Sequence, residues 1–214
     1  MEIPLQNRLR RRAHAQIALL QDEVADLAYS IFPRITFHGG TCIWRCYGGN
    51  RFSEDLDFYL PRKDFSAEKL SESLSSRALA LDKLKMTENL LFSKISSNEA
   101  QVRLEINFSA AKRPVVRTYE KADGSHMDVL ALSAEELLLE KIAAYRNRRL
   151  IRDIYDIYHL SGIAKEDGKA TDGMQMLLQN PPKPLDEKDL RAIVYAGAVP
   201  SFAQMLEVLR GRFA

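Results

Sequence analysis

The stretch His38-Gly-Gly-Thr-Cys-Ile-Trp-Arg-Cys-Tyr-Gly-Gly-Asn-Arg-Phe-Ser-Glu-Asp-Leu-Asp-Phe58 constrains this chain more than any other. It requires a strand, a glycine turn, a short helix and a second strand in quick succession. Ile35-Thr-Phe-His38 reads as the first strand and Thr41–Tyr47 as one or two helical turns, with Gly39-Gly40 between them. A glycine pair that opens a helix next to a hydroxyl residue makes an anion site. Free backbone N–H groups and the helix dipole both favour phosphate there, and glycine lets the backbone approach it. Asp55-Leu-Asp-Phe-Tyr-Leu60 alternates and ends apolar, so Asp55 and Asp57 leave one face of a strand. Two acids on one face repel unless a cation sits between them, and Mg²⁺ takes one or two carboxylates and completes its shell with water and phosphate. Each motif alone has a plainer reading, a tight turn or a solvated Asp pair. Their succession, with Arg45 one helical turn on and a second turn at Gly48-Gly49-Asn50, points to phosphate and metal together.

The rest of the chain organises around that stretch. A helix is expected near 5–31, ending before Pro33, and another near 66–80; segments near 88–96, 101–109 and 114–120 read as strands, with a turn at Ala122-Asp-Gly-Ser. Beyond about residue 131 the pattern is helical, interrupted by Gly168, Gly173 and Asn180-Pro-Pro-Lys-Pro184. The expected fold is α+β, a mixed sheet with helices over residues 1–130, followed by a helical bundle over 131–214, with the ligand in a cleft between them.

Three further patterns carry chemistry. Val102-Arg-Leu-Glu-Ile-Asn-Phe108 alternates strictly, which puts Arg103, Glu105 and Asn107 on the face opposite the core. Ser133-Ala-Glu-Glu136 matches a capping box, and the helix it opens carries Lys141 beside an apolar stripe of Leu137, Leu138, Ile142 and Tyr145. Asp153 and Asp156 stand three residues apart in Arg152-Asp-Ile-Tyr-Asp-Ile-Tyr158 and share one helical face. Spacing alone equally describes an exposed strand glutamate and a charged helix surface.

Composition excludes some classes. The 214 residues are 46% hydrophobic and 28% charged, ordinary globular values. No apolar run approaches the roughly 20 residues of a membrane helix. The arginines near the start are followed by no apolar segment, so a cytoplasmic protein without a membrane partner is expected. Cys42 and Cys46 lack any Cys-x-x-Cys or Cys/His companion and read as reduced, partly buried thiols. The net charge of +2 is small, but Arg8, Arg10, Arg11 and Arg12 cluster, as do Arg146, Arg148, Arg149 and Arg152. Either cluster suits RNA phosphates or a solvated helix surface.

Gly39-Gly40-Thr41, Arg45, Arg51-Phe-Ser-Glu-Asp-Leu-Asp-Phe58, then Leu137-Leu-Leu-Glu-Lys141-Ile-Ala-Ala-Tyr-Arg146 and Arg152-Asp-Ile-Tyr-Asp-Ile157, resemble in the same order the AbiEii group of nucleotidyltransferases. That group belongs to the DNA polymerase β-like superfamily and includes toxins of bacterial abortive-infection systems. The resemblance implies transfer of an NMP from an NTP to a hydroxyl acceptor, a tRNA 3′ end or a protein. It also implies Mg²⁺, or Mn²⁺ in its place, a cognate antitoxin and a role in phage defence. It assigns Gly39, Gly40, Thr41, Arg45, Ser53, Lys141 and Asp156 to the nucleotide, and Asp55 and Asp57 to metal. It makes Lys141 and Asp153 catalytic. A two-metal transfer needs a further acid on a neighbouring strand, and Glu105 is the candidate as metal ligand and base.

Two other classes fit parts of the pattern. A metal-dependent nuclease also clusters acids with a lysine, but its usual Glu-x-Lys strand is here Glu105-Ile-Asn107. A non-catalytic nucleotide- or RNA-binding module on the same fold would be expected to have lost acids or the glycine pair, and this chain keeps both.

Overall fold

Alternation of apolar and polar residues builds the sheet of this protein, whose computed structural model describes residues 3–111, 113–165 and 168–213. The chain forms two compact units, Met1–Cys46 with Phe52–Leu132, and Tyr47–Arg51 with Ser133–Ala214.

The first unit opens with α1 (Leu5–Arg8) and α2 (Arg12–Ile31). The sequence predicts one helix here, but Leu9 and Arg11 are extended, and α2 begins after them. The strands are β1 (Thr36–His38), β2 (Asp55–Tyr59), β3 (Ala80–Met86), β4 (Leu90–Ser96), β5 (Gln101–Asn107), β6 (Val115–Glu120) and β7 (His126–Ala131). Helix α3 (Gly39–Cys46) lies between β1 and β2 in sequence, and α4 (Ala67–Ser76) between β2 and β3. Ser66 caps α4, its hydroxyl accepting from the Lys69 amide.

All seven strands join one sheet in the order β3-β4-β5-β2-β1-β7-β6. β2 runs parallel to β5 and β1 to β7, while the other neighbours are antiparallel, so the sheet is mixed. The alternation along β2, β4 and β5 sends Leu56, Phe58, Leu91, Ile95, Leu104 and Ile106 into the core, each fully buried. Leu27 and Ala28 of α2 and Leu70 and Leu74 of α4 are buried with them. The intervening residues of those strands are only half-buried. That polar face presents the acids.

The second unit is helical: α5 (Ala134–Arg148), α6 (Ile151–Ser161), α7 (Gly168–Gln179), α8 (Leu190–Ile193) and α9 (Phe202–Phe213). Ser133 caps α5 through the Glu136 amide, as the capping box predicts. Arg149 closes α5 in the left-handed region at φ 54, turning the chain sharply into α6. Leu137, Ile142, Ile154, Leu160, Met174 and Leu209 form its core. Residues 47–51, although they connect α3 to β2, pack in this helical unit. Arg51 bridges to Val194, the Tyr195 amide donates to the Asn50 carbonyl at 3.1 Å, and His159 Nε2 donates to the Tyr47 carbonyl at 2.8 Å.

Candidate active site

The register of three strands assembles the acids. β1 pairs antiparallel with β2 so that His38 faces Asp57, and β2 pairs in parallel with β5 so that Asp57 faces Glu105 and Asp55 faces Arg103. Residues opposite one another in a ladder share a face, so Asp55, Asp57 and Glu105 stand on one side of two adjacent strands. Arg103 lies among them. Its guanidinium pairs with Asp55 and reaches Glu105 Oε1 at 3.1 Å. Burial pushes the Glu105 carboxyl above its usual range; Asp57 and Asp55 push it further, and Arg103 and His38 oppose them.

The strand carrying the aspartates is held from both flanks. Gln21 Nε2 donates to the carbonyls of Ser53 and Glu54, each at 2.9 Å, so Ser53 meets α2 through its backbone. Thr41, fully buried, donates its hydroxyl to the Asp55 carbonyl. The resemblance assigns Thr41 to the nucleotide; in the structure its hydroxyl anchors β2. Gly39 adopts φ +76, and a Cβ there would lie 2.2 Å from Asp57 Oδ2. Both the left-handed turn and the close approach of the aspartate therefore require glycine.

Arg45 serves elsewhere than the resemblance suggests. It is 2% exposed; its guanidinium pairs with Asp22 and lies 4.8 Å from the ring centroids of both Trp44 and Tyr119. Tyr119 Oη donates to Asp22 at 2.9 Å, and the Ala122 amide at 2.7 Å. This cluster locks α3 to α2 and β6. A buried ion pair with aromatic walls is a structural element, and no signal in the local sequence identifies Asp22 as the partner.

The second unit holds the other charged constellation. Arg51 grips Asp156 with two hydrogen bonds of 2.5 Å, and Arg148 grips Asp153 with two of 2.7 Å. Lys141 Nζ lies 2.9 Å from Asp156 and 3.6 Å from Asp153, bridging the two carboxylates. Asp153 and Asp156 are 0% and 1% exposed, so they are not the solvated helix surface that their spacing also allows. Burial acts to raise the Asp156 carboxyl, but Arg51 and Lys141 hold it below its usual range. Arg51, Arg148 and Lys141 thus converge on the two carboxylates. Arg51 belongs to the motif stretch and Arg148 to the basic cluster; only the fold shows which acid each one holds.

The two constellations thus gather separately, Gly39, Thr41, Asp55, Asp57 and Glu105 in the sheet unit, and Lys141, Asp153 and Asp156 in the helical unit. Among the described residues, no group of three or more His, Cys, Asp or Glu side chains is placed to hold a metal ion. The three sheet acids offer only carboxylate oxygens, the donors that a hard divalent cation takes, and Arg103 occupies two of them as a counter-charge.

The model of one protein family, nucleotidyl transferase AbiEii toxins of type IV toxin–antitoxin systems, matches residues 26–194. The chain belongs to that family. As an AbiEii member it is a nucleotidyltransferase of the toxin type. No curated protein matches the sequence. Among solved structures, MenT4, a nucleotidyltransferase toxin from Mycobacterium tuberculosis H37Rv, is similar at 20% identity with a TM-score of 0.63, over 96% of this chain and 85% of that one. JHP933 from Helicobacter pylori is similar at 17% identity with a TM-score of 0.67, over 94% of this chain and 90% of its own. At these identities the likeness shows the fold, and the AbiEii chain shares the mixed sheet and helices of nucleotidyltransferase toxins. Among the described residues, no helix of the AbiEii chain is long and apolar enough to cross a membrane.

Proposed function

We propose that this AbiEii protein transfers an NMP from an NTP to a hydroxyl acceptor, with Asp55, Asp57 and Glu105 as its chemical centre. The observation that supports this most is the ladder in which Glu105 stands opposite Asp57, beside a left-handed Gly39 turn pressed against the same aspartate. The N–H groups at Gly40 and Thr41, at the start of α3, suit the triphosphate. Asp55, Asp57 and Glu105 would hold Mg²⁺, or Mn²⁺ in its place. When bound, such a cation neutralises phosphate charge and makes the acceptor hydroxyl more acidic. Glu105, its carboxyl already pushed up, takes the hydroxyl proton. The acceptor oxygen then bonds the α-phosphorus as the bond to the β-phosphate oxygen breaks, and pyrophosphate leaves. Lys141 carries the assignment to the triphosphate by family resemblance, and each aspartate beside it also has its own arginine. A type IV antitoxin is the proposed protein partner, and restraint of the host during phage infection the proposed setting.

The test is incubation with labelled NTPs, Mg²⁺ and either bulk tRNA or total protein. Label transfer that disappears in Asp57→Asn, with an unchanged far-ultraviolet spectrum, is expected. Shortened RNA with no transferred label would establish a nuclease instead. Full activity in Asp57→Asn would remove the aspartate pair from the chemistry.

A further inference from the structure

The acids stand at one end of a line of cations. The registers of four neighbouring strands place Lys83 opposite Lys94, Lys94 opposite Arg103 and Arg103 opposite Asp55. One row along, Lys85 faces Phe92, Phe92 faces Glu105, and Glu105 faces Asp57. Ladder partners share a face, so Lys83, Lys85, Lys94, Arg103 and Phe92 lie on the same side of the sheet as the carboxylates. Lys83 and Lys85 are exposed, Lys94 and Phe92 half-buried, and the Arg103 side chain is 40% exposed. On β2, β4 and β5 the other side is the core, whereas β3 is exposed on both faces. Lys83 Nζ lies 5.5 Å and the Arg103 guanidinium 5.9 Å from the Phe92 ring centroid.

Like charges directly opposite one another destabilise a sheet, so the two successive like-charge pairs, Lys83 with Lys94 and Lys94 with Arg103, weigh against the fold unless something negative lies across them. At the usual strand spacing, Lys83 to Asp55 spans about 14 Å, the length of several stacked nucleotides at about 3.4 Å each. An aromatic ring flanked by cations is what single-stranded nucleic acid uses, bases stacking on the ring while phosphates follow the charges. A protein acceptor presents a hydroxyl but no repeating negative charge to match the row.

We propose that the face formed by Lys83, Lys85, Phe92, Lys94 and Arg103 is a track for a single-stranded polynucleotide, leading its terminal hydroxyl to Asp55, Asp57 and Glu105. This rests on the transferase reading and selects the polynucleotide over the protein as acceptor. Lys83 and Lys94 bind backbone phosphates, Phe92 stacks a base, and Arg103 is the last cation before the acids.

Binding of a short fluorescein-labelled single-stranded RNA by the full chain, followed by anisotropy over a range of salt, tests the track. Lys83→Glu/Lys94→Glu should weaken binding about tenfold or more and make the salt dependence shallower by about 1.4 in log–log slope, because two phosphates are no longer neutralised. Phe92→Leu, which keeps the bulk of the side chain, should weaken binding about fivefold or more. Phe92→Leu should stay folded and Lys83→Glu/Lys94→Glu should melt no lower than wild type, and both should keep the thermal shift produced by Mg²⁺ with a non-hydrolysable NTP. Binding abolished instead in Arg10→Glu/Arg11→Glu/Arg12→Glu and retained in Lys83→Glu/Lys94→Glu would overturn the track, as would a wild type that binds no RNA. RNA binding that depends on Lys83 and Lys94 in a protein unshifted by NTP would leave the track standing and remove the transferase reading.

Discussion

Asp57 and Glu105 stand directly opposite one another where β2 and β5 run parallel, and this pairing pushes the Glu105 carboxyl further above its usual range than burial alone. A carboxyl pushed up by burial and by its aspartate neighbours holds a proton more readily than an ordinary glutamate does. Glu105→Gln should therefore leave nucleotide binding nearly unchanged while cutting turnover by about 10²-fold or more, the usual worth of a positioned base. Single-turnover transfer rates beside NTP binding curves measure both. Unchanged turnover would pass the role to another acid.

Gly39 gives a prediction of geometry. Alanine there must accept a left-handed backbone and place its Cβ inside the space of Asp57. The backbone alone costs about 1–2 kcal/mol. Gly39→Ala should lose more than that in denaturant unfolding and should also lose transfer, because Asp57 has to move. A variant that loses stability but transfers at the wild-type rate would show that the position of Asp57 is not critical.

The motif stretch makes the centre legible because its signals are local. The Gly39 turn, the apolar alternation of β2 and β5 and the Ser133 cap are each decided within a few residues. What the sequence hides is decided by partners far along the chain. Arg45 resembles a phosphate ligand because its partner, Asp22, lies 23 positions before it. Thr41 binds the backbone of β2 rather than standing free. Strand β3 escapes a reading of periodicity because nearly all its residues are exposed on both faces, which erases the alternation that marks a strand. Strand β7 escapes it too, although the turn before it is plain, since His126-Met-Asp-Val129 alternates for only four residues before two apolar ones follow.

Arg103 predicts a competition. The guanidinium that pairs with Asp55 and Glu105 must yield to any divalent cation that takes those oxygens. Arg103→Met should lower the Mn²⁺ concentration that half-saturates the protein by about tenfold, measured by electron paramagnetic resonance of free Mn²⁺ without nucleotide; that factor corresponds to about 1.4 kcal/mol. Metal binding unchanged in the variant would place the ion away from Asp55 and Glu105. Chelation of the metal should abolish transfer in both proteins.

Asp156 contributes a pH dependence to the stability of the helical unit. Arg51 and Lys141 hold its carboxyl below the ordinary value near 3.9, against the effect of burial. Its folded value is depressed, so its contribution is fully present above the unfolded value, about 3.9, and is lost as pH falls through the folded one. Asp156→Asn leaves Arg51 and Lys141 facing a neutral amide in the interior, which costs about 3–5 kcal/mol at neutral pH. The gap in unfolding free energy between wild type and variant should narrow as the buffer is taken into acid. A gap that is constant with pH would mean that the amide fails for reasons of packing and not of charge.

Lys141 separates substrate handling from folding. An ordinary surface lysine would tolerate methionine with little effect on either stability or NTP affinity, and its 6% exposure already argues against that. A lysine whose task is the triphosphate would raise the apparent NTP constant at least about tenfold, about 1.4 kcal/mol, with the melting temperature unchanged. The structure places Nζ 2.9 Å from Asp156 and 3.6 Å from Asp153, while each aspartate keeps its own arginine in Lys141→Met. Each acid stays paired, so the expected loss of stability is about 1–2 kcal/mol, smaller than for Asp156→Asn. One cation fewer would remain for phosphate, so NTP affinity should fall as well. Melting curves of both proteins with and without Mg²⁺–NTP measure the two effects together. Equal stabilisation of wild type and variant by NTP would confine Lys141 to the ion-pair network and remove it from the nucleotide.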